Sequence, residues 1–185
     1  MLHLALLRHA KSSWDNLRHA DIERPLNARG EAAAPLMGRH IASLGFKPDL
    51  ILCSTAKRTR QTLDHIAPHL SLEECVMRHD QEIYDASASD LLDILQHRGG
   101  GAHRILLIGH NPGLQTLALQ LAGAGDADLL ALMADKFPTA ALAILSFDLP
   151  HWRDIKPGAG RLETFTAPKL LAQPAGKPHG LTRPL

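Results

Sequence analysis

Short apolar runs that stop at a cluster of cationic or glycine–histidine residues constrain this chain more than any other feature. Leu2 to Leu7 is one such run, and it ends abruptly in Arg8-His9. Arg104 to Ile108 is a second, rich in leucine and isoleucine, and Gly109-His110-Asn111-Pro112-Gly113 follows it. Asp49 to Cys53 is a third, leading into Ser54-Thr55-Ala56. Apolar runs of this length, bounded by polar or glycine-containing turns, read as buried strands. Segments with helical signals lie between them. A helix is expected over 27–44, with Asn27 as cap, Gly45 as stop and Pro35 as a kink or break. Others are expected over 57–66, ended by Pro68, over 90–97 with Ser89 as cap, and from Pro112 to about 122. A third strand is read over 75–78, a short helix around 127–135, and closing strands over 141–147 and 162–166.

Strands alternating with helices predict a three-layer α/β/α sandwich around a mostly parallel sheet. In such sheets ligands bind beyond the carboxyl ends of the strands. Arg8-His9, the segment Ser54 to Arg58, and Gly109-His110-Asn111 all sit at such ends. Three segments far apart in sequence therefore deliver two histidines and two arginines to one rim.

Composition narrows the options for that rim. The chain has 185 residues, of which 45% are hydrophobic and 21% charged, enough for one core and too apolar for a disordered chain. A single domain is expected over 1–168. A poorly packed tail follows over 169–185, because proline and glycine are five of the thirteen residues from Gln173 onward. The formal net charge is +1, which argues against nucleic-acid binding through bulk charge. Two cysteines, Cys53 and Cys75, form neither a disulfide framework nor a zinc ribbon. His65 and His69 have the spacing of a metal pair, but Pro68 interrupts the helix that would align them, so no metal is expected. No run reaches the length of a membrane span, and the N-terminal apolar stretch is too short for a signal peptide. The expected protein is soluble and cytoplasmic.

Two arginines and two histidines at one site can hold a phosphoryl group. Guanidinium forks match phosphoryl oxygens and keep their charge at any working pH. A neutral imidazole in that field can attack phosphorus, and a second, protonated by an anionic neighbourhood, can stabilise the transition state. No cofactor is required. Beyond the chemistry, five ordered blocks carry a resemblance. They are Arg8-His9-Ala10-Lys11-Ser12-Ser13-Trp14, Arg24-Pro25-Leu26-Asn27-Ala28-Arg29-Gly30, Ser54 through Thr62, Gly109-His110-Asn111-Pro112-Gly113, and Phe137-Pro138-Thr139-Ala140-Ala141. Together they resemble the histidine phosphatase (phosphoglycerate-mutase-like) superfamily, and within it the small SixA-type phosphohistidine phosphatases, over residues 2–168.

The resemblance implies that His9 is the nucleophile and that Arg8, Arg58 and His110 complete the phosphate pocket. Glu82, after a predicted strand, falls where superfamily members place a general acid. Ser12 and Asn111 are candidates for further phosphate contacts. Ala10 stands in place of the superfamily's usual glycine. Asp15 stands where many members carry a phosphate-binding asparagine, and that role is not carried over. The expected substrate is a phosphohistidine on a signalling or phosphotransfer protein. The alternatives are a phosphatase or mutase of a small phosphorylated metabolite, and a non-catalytic module that binds phosphorylated proteins.

Overall fold

The computed structural model describes residues 1–15 and 20–172. Of the tail expected over 169–185, the part from Gln173 onward lies outside them. The strands are β1 (Leu2–Arg8), β2 (Leu50–Ser54), β3 (Val76–Asp80), β4 (Arg104–Gly109), β5 (Ala122–Gly125), β6 (Leu142–Phe147) and β7 (Gly160–Thr166). They form one sheet in the order β3-β2-β4-β1-β6-β7-β5. The pairs β2·β3, β2·β4, β1·β4 and β5·β7 are parallel, while β6 runs antiparallel to both β1 and β7. The sheet is thus mostly parallel, as the alternation of elements predicts.

Helices cover both faces. α1 (Ala28–Ser43) and α2 (Lys57–Ile66) lie on one, and α3 (Ala88–Arg98), α4 (Gly113–Leu121) and α5 (Ala127–Asp135) on the other. Alternate side chains of each central strand enter opposite cores, the normal consequence of the two-residue period of a strand. Ala5, Leu7, Ile51, Cys53, Leu106 and Ile108 face α1 and α2. Leu4, Leu6, Leu50, Leu52, Ile105 and Leu107 face α3 and α4. Because both faces are buried, these strands read as continuous apolar runs rather than alternating ones.

Helix boundaries follow local chemistry. Asn27 caps α1 by accepting from Gly30 N–H at 3.0 Å. The helix then continues through Pro35 without ending there. Ser87, not Ser89, caps α3, because Ser87 and Asp90 form a reciprocal capping box. Pro112 precedes α4 as its cap position. β5 was not expected: Ala-Gly-Ala-Gly carries no strand propensity, and its pairing with β7 imposes the conformation. A short helix α6 (Pro168–Leu171) follows β7, and Leu171 packs on the core beneath α1. Among the described residues no helix is long and apolar enough to cross a membrane.

Two glycines bring helix starts close to the carboxyl edge of the sheet. A Cβ on Gly30 would lie 2.2 Å from Lys11 O, and one on Gly113 would lie 2.1 Å from Ala86 O. Only glycine allows α1 to press against the loop after β1, and α4 against the loop before α3.

Candidate active site

The register of β1 against β4 sets Arg8 beside Gly109, and His9 N–H donates to Gly109 O at 3.1 Å. β2 lies on the other side of β4, so Ser54 ends at the same edge. His9 and His110 therefore emerge together, with ring centroids 5.2 Å apart. Both are buried.

The two rings are held differently. His9 Nδ1 lies 2.7 Å from Ala10 O. A carbonyl can only accept, so Nδ1 carries the proton and the Nε2 lone pair is left free. Burial pushes the His9 pKa down to about 3; the Ala10 carbonyl opposes this, and His110, Arg58 and Arg8 add to it. His9 is thus neutral at pH 7, the state in which imidazole is nucleophilic. His110 Nε2 pairs with Ser54 Oγ at 2.8 Å, while its buried Nδ1 has no partner among the described residues. The surroundings of His110 are cationic on balance, not anionic as expected. Burial and the Arg58 and Arg8 charges hold its pKa at about 3, and Asp21 opposes them only partly. His110 is thus also neutral at pH 7.

Arg8 and Arg58 frame the pair. Arg8 Nη1 donates to Phe137 O at 2.8 Å, and its buried Nε has no described partner. Ala140 N–H bonds the carbonyls of Arg8 and His9 from a left-handed conformation, φ 59°. A non-glycine residue in that region stores strain. The 137–141 block thus fixes the Arg8-His9 backbone. Thr62 locks the second arginine to the same frame, since its hydroxyl donates to Arg58 O at 2.6 Å and accepts Ala10 N–H at 3.0 Å. Gln61 Oε1 accepts Leu26 N–H at 2.8 Å, tying the 24–26 segment to α2.

The other candidates sit differently. Ser12 Oγ accepts from Arg24 Nη2 at 2.8 Å. Asn111 Nδ2 donates to Phe137 O at 3.1 Å and Gln115 Oε1 at 3.2 Å, so its side chain braces the 137 loop. Glu82 is paired with a cation from another element. It lies on the short 3₁₀ turn Gln81–Ile83 after β3, where Arg98 of α3 takes its carboxylate at 2.5 Å and leaves it 69% exposed. Arg98 also pairs with Asp80.

Sequence reasoning missed Asp21. It begins the 3₁₀ turn Asp21–Glu23, and three donors converge on it. Arg58 Nη2 and Tyr84 Oη reach Oδ2 at 2.9 and 2.8 Å, and Arg24 Nη1 reaches Oδ1 at 2.8 Å. Burial would raise the Asp21 pKa, but the hydrogen bonds from Tyr84 and Arg24 and the Arg58 charge outweigh it and hold it at about 2. Tyr84 also stands edge-on to His110, with centroids 5.5 Å apart. Exposed Trp14 stacks on Arg24, whose guanidinium carbon lies 3.3 Å from the ring centre.

The neutral histidines carry a consequence for stability. Unfolded, each takes up a proton near pH 6.5; folded, each stays neutral to about pH 3. Between those values the unfolded chain binds more protons, so stability falls as pH falls, by up to about 1.4 kcal/mol per pH unit per histidine. Denaturant titrations from pH 7 to pH 4 should show this slope, and His9→Gln should lower it by about one proton. Equal slopes in both proteins would contradict the burial of a neutral His9.

A site of this kind can bind a phosphoryl dianion between two guanidinium groups and present it to a neutral imidazole. Known proteins share this fold. The sequence profile of the histidine phosphatase superfamily (branch 1) matches residues 4–87. An uncharacterised protein of Mycobacterium tuberculosis is 34% identical over 166 residues, covering 88% of this chain and 100% of its own length. A solved structure assigned as a SixA phosphohistidine phosphatase from Agrobacterium tumefaciens is 30% identical, with a TM-score of 0.73 over 90% of this chain and 98% of its own. The tungstate complex of the protein histidine phosphatase SixA shares the fold, with 22% identity and a TM-score of 0.73 over 92% of this chain and 99% of its own. On these grounds the chain belongs to the histidine phosphatase superfamily.

Proposed function

We propose that this protein is a phosphatase that removes the phosphoryl group from phosphohistidine on a partner protein, through a phosphohistidine formed on His9. The observation that carries this reading is the Nδ1–Ala10 O bond of a neutral His9, which leaves Nε2 as a free nucleophile beside His110 and the two arginines. Arg8 and Arg58 bind the phosphoryl oxygens. His9 Nε2 attacks phosphorus as the bond to the substrate nitrogen breaks, and that bond's electron pair returns to the substrate ring, which carries a proton on its other nitrogen and leaves as neutral imidazole. His110 acquires a proton as the dianion enters and donates to an equatorial oxygen. Water then attacks phosphorus from the side opposite His9. The P–N bond to His9 breaks, its electron pair returns to Nε2 while Nδ1 keeps its proton, and orthophosphate leaves with the water's oxygen and both its protons.

The position of Glu82 supports a nitrogen leaving group. An alkoxide needs a proton donor to depart, and the carboxylate considered for that task is engaged by Arg98. Imidazole departs without one from the enzyme when its other ring nitrogen already carries a proton, because its conjugate acid has a pKa near 6.5. The half-exposed Asp21 beside Arg58 leaves the approach open, which suits a side chain on a protein surface.

Parallel assays with a phosphohistidine-containing phosphotransfer protein and with phosphomonoesters test the substrate. The expected result is orthophosphate release from the protein donor at a kcat/KM at least about 10-fold above that for the esters, unchanged within about 2-fold in Glu82→Gln. Turnover of esters alone, abolished in Glu82→Gln, would move the substrate to a small metabolite. Silence with every donor would favour a non-catalytic binding module.

A further inference from the structure

Asp21 is an anion placed at the mouth of a pocket built for anions. Its carboxylate is ionised at any pH near neutrality, and Arg58 holds it directly. Arg58 spends two N–H groups on it, Nη1 to the backbone oxygen at 2.7 Å and Nη2 to Oδ2 at 2.9 Å. A guanidinium has five, so Arg58 can bind phosphoryl oxygens without releasing Asp21. The carboxylate is also not saturated. Oδ2 accepts from Arg58 and Tyr84, while Oδ1 accepts only from Arg24 among the described residues. Half of the side chain is open to solvent. A group attached to a bound phosphate therefore meets a fixed negative charge with an acceptor to spare.

We propose that Asp21 is a specificity residue that admits substrates carrying a positive charge or an N–H donor beside the phosphoryl group and rejects those carrying a second anion there. The proposal rests on the phosphoryl pocket described above and sharpens its substrate class. A phosphohistidine ring protonated on its other nitrogen offers Asp21 an N–H and a positive charge. A carboxylate or second phosphate beside the scissile group, as in many small metabolites, meets repulsion instead. Fixed like charges at an approach of a few ångströms disfavour one partner strongly at a protein surface and are weakened by salt.

The test uses two small ligands of similar size and opposite second charge, phosphoethanolamine and phosphoglycolate. Calorimetry on the full-length His9→Ala protein keeps the result independent of turnover. Phosphoethanolamine should bind about 10-fold more tightly than phosphoglycolate at low salt, and the preference should shrink as salt rises. Adding Asp21→Asn should narrow it to within about 2-fold, chiefly by tightening phosphoglycolate. An unchanged preference would overturn the proposal. So would equal weakening of both ligands, because Asp21 would then serve only to orient Arg58. Failure of both ligands to bind would overturn the pocket and the proposal together. Intact charge preference without phosphohistidine turnover in wild type would leave Asp21 as the charge filter and overturn only the substrate proposed above.

Discussion

His9→Ala is expected to lower kcat/KM for phosphoryl transfer by at least about 10⁴-fold while leaving the protein folded. The magnitude follows from the covalent route, since without Nε2 no acceptor stands in line with the phosphoryl group. Folding should survive because His9 is buried as a neutral ring whose only described side-chain hydrogen bond is to the carbonyl of the next residue. The 137–141 block holds the backbone there independently of the imidazole. Circular dichroism and steady-state assays on the same preparation check both halves. Residual activity above about 1% of wild type would mean that another group accepts the phosphoryl.

Arg58 carries the second large effect. Arg58→Ala should cost about 10³-fold in kcat/KM, and Arg58→Lys about 10²-fold. Lysine keeps the charge but not the fork that serves Asp21 and a phosphoryl oxygen together. Alanine does further harm. It leaves the Asp21 carboxylate at the mouth without the Arg58 cation that pairs with it, so an incoming dianion meets repulsion where it met attraction. Kinetics of Arg58→Ala/Asp21→Asn separate the two contributions, and activity above that of Arg58→Ala alone is expected. Equal activity of Arg58→Lys and wild type would show that the fork does not contact the phosphoryl group.

The parts legible in the sequence are those fixed by local periodicity. Leu2–Arg8 and Arg104–Gly109 are continuous apolar runs because helices bury both faces of the sheet. Their shared carboxyl edge follows from parallel pairing, which brings Arg8-His9 and His110 together. Asp21 gave no local signal, because it is one acid in a polar loop. Its meaning comes from Arg58, 37 residues away, and Tyr84, 63 residues away. The partner of Glu82 was hidden for a similar reason. Its distance from β3 in sequence matches an acid at the site, and only packing shows that Arg98 at the end of α3 pairs with its carboxylate. The charge of His110 was equally hidden, since only packing decides that burial and two arginines outweigh one carboxylate.

The central claim is that His9 carries the phosphoryl group. Rapid acid-free quenching of wild type during turnover of a labelled phosphohistidine donor, followed by peptide mapping under basic conditions, tests it directly. The expected result is an acid-labile, base-stable phosphoryl group on the peptide containing His9, absent from His9→Ala and lost as orthophosphate appears. Label on any other residue, or orthophosphate release with His9 unmodified throughout, would contradict it.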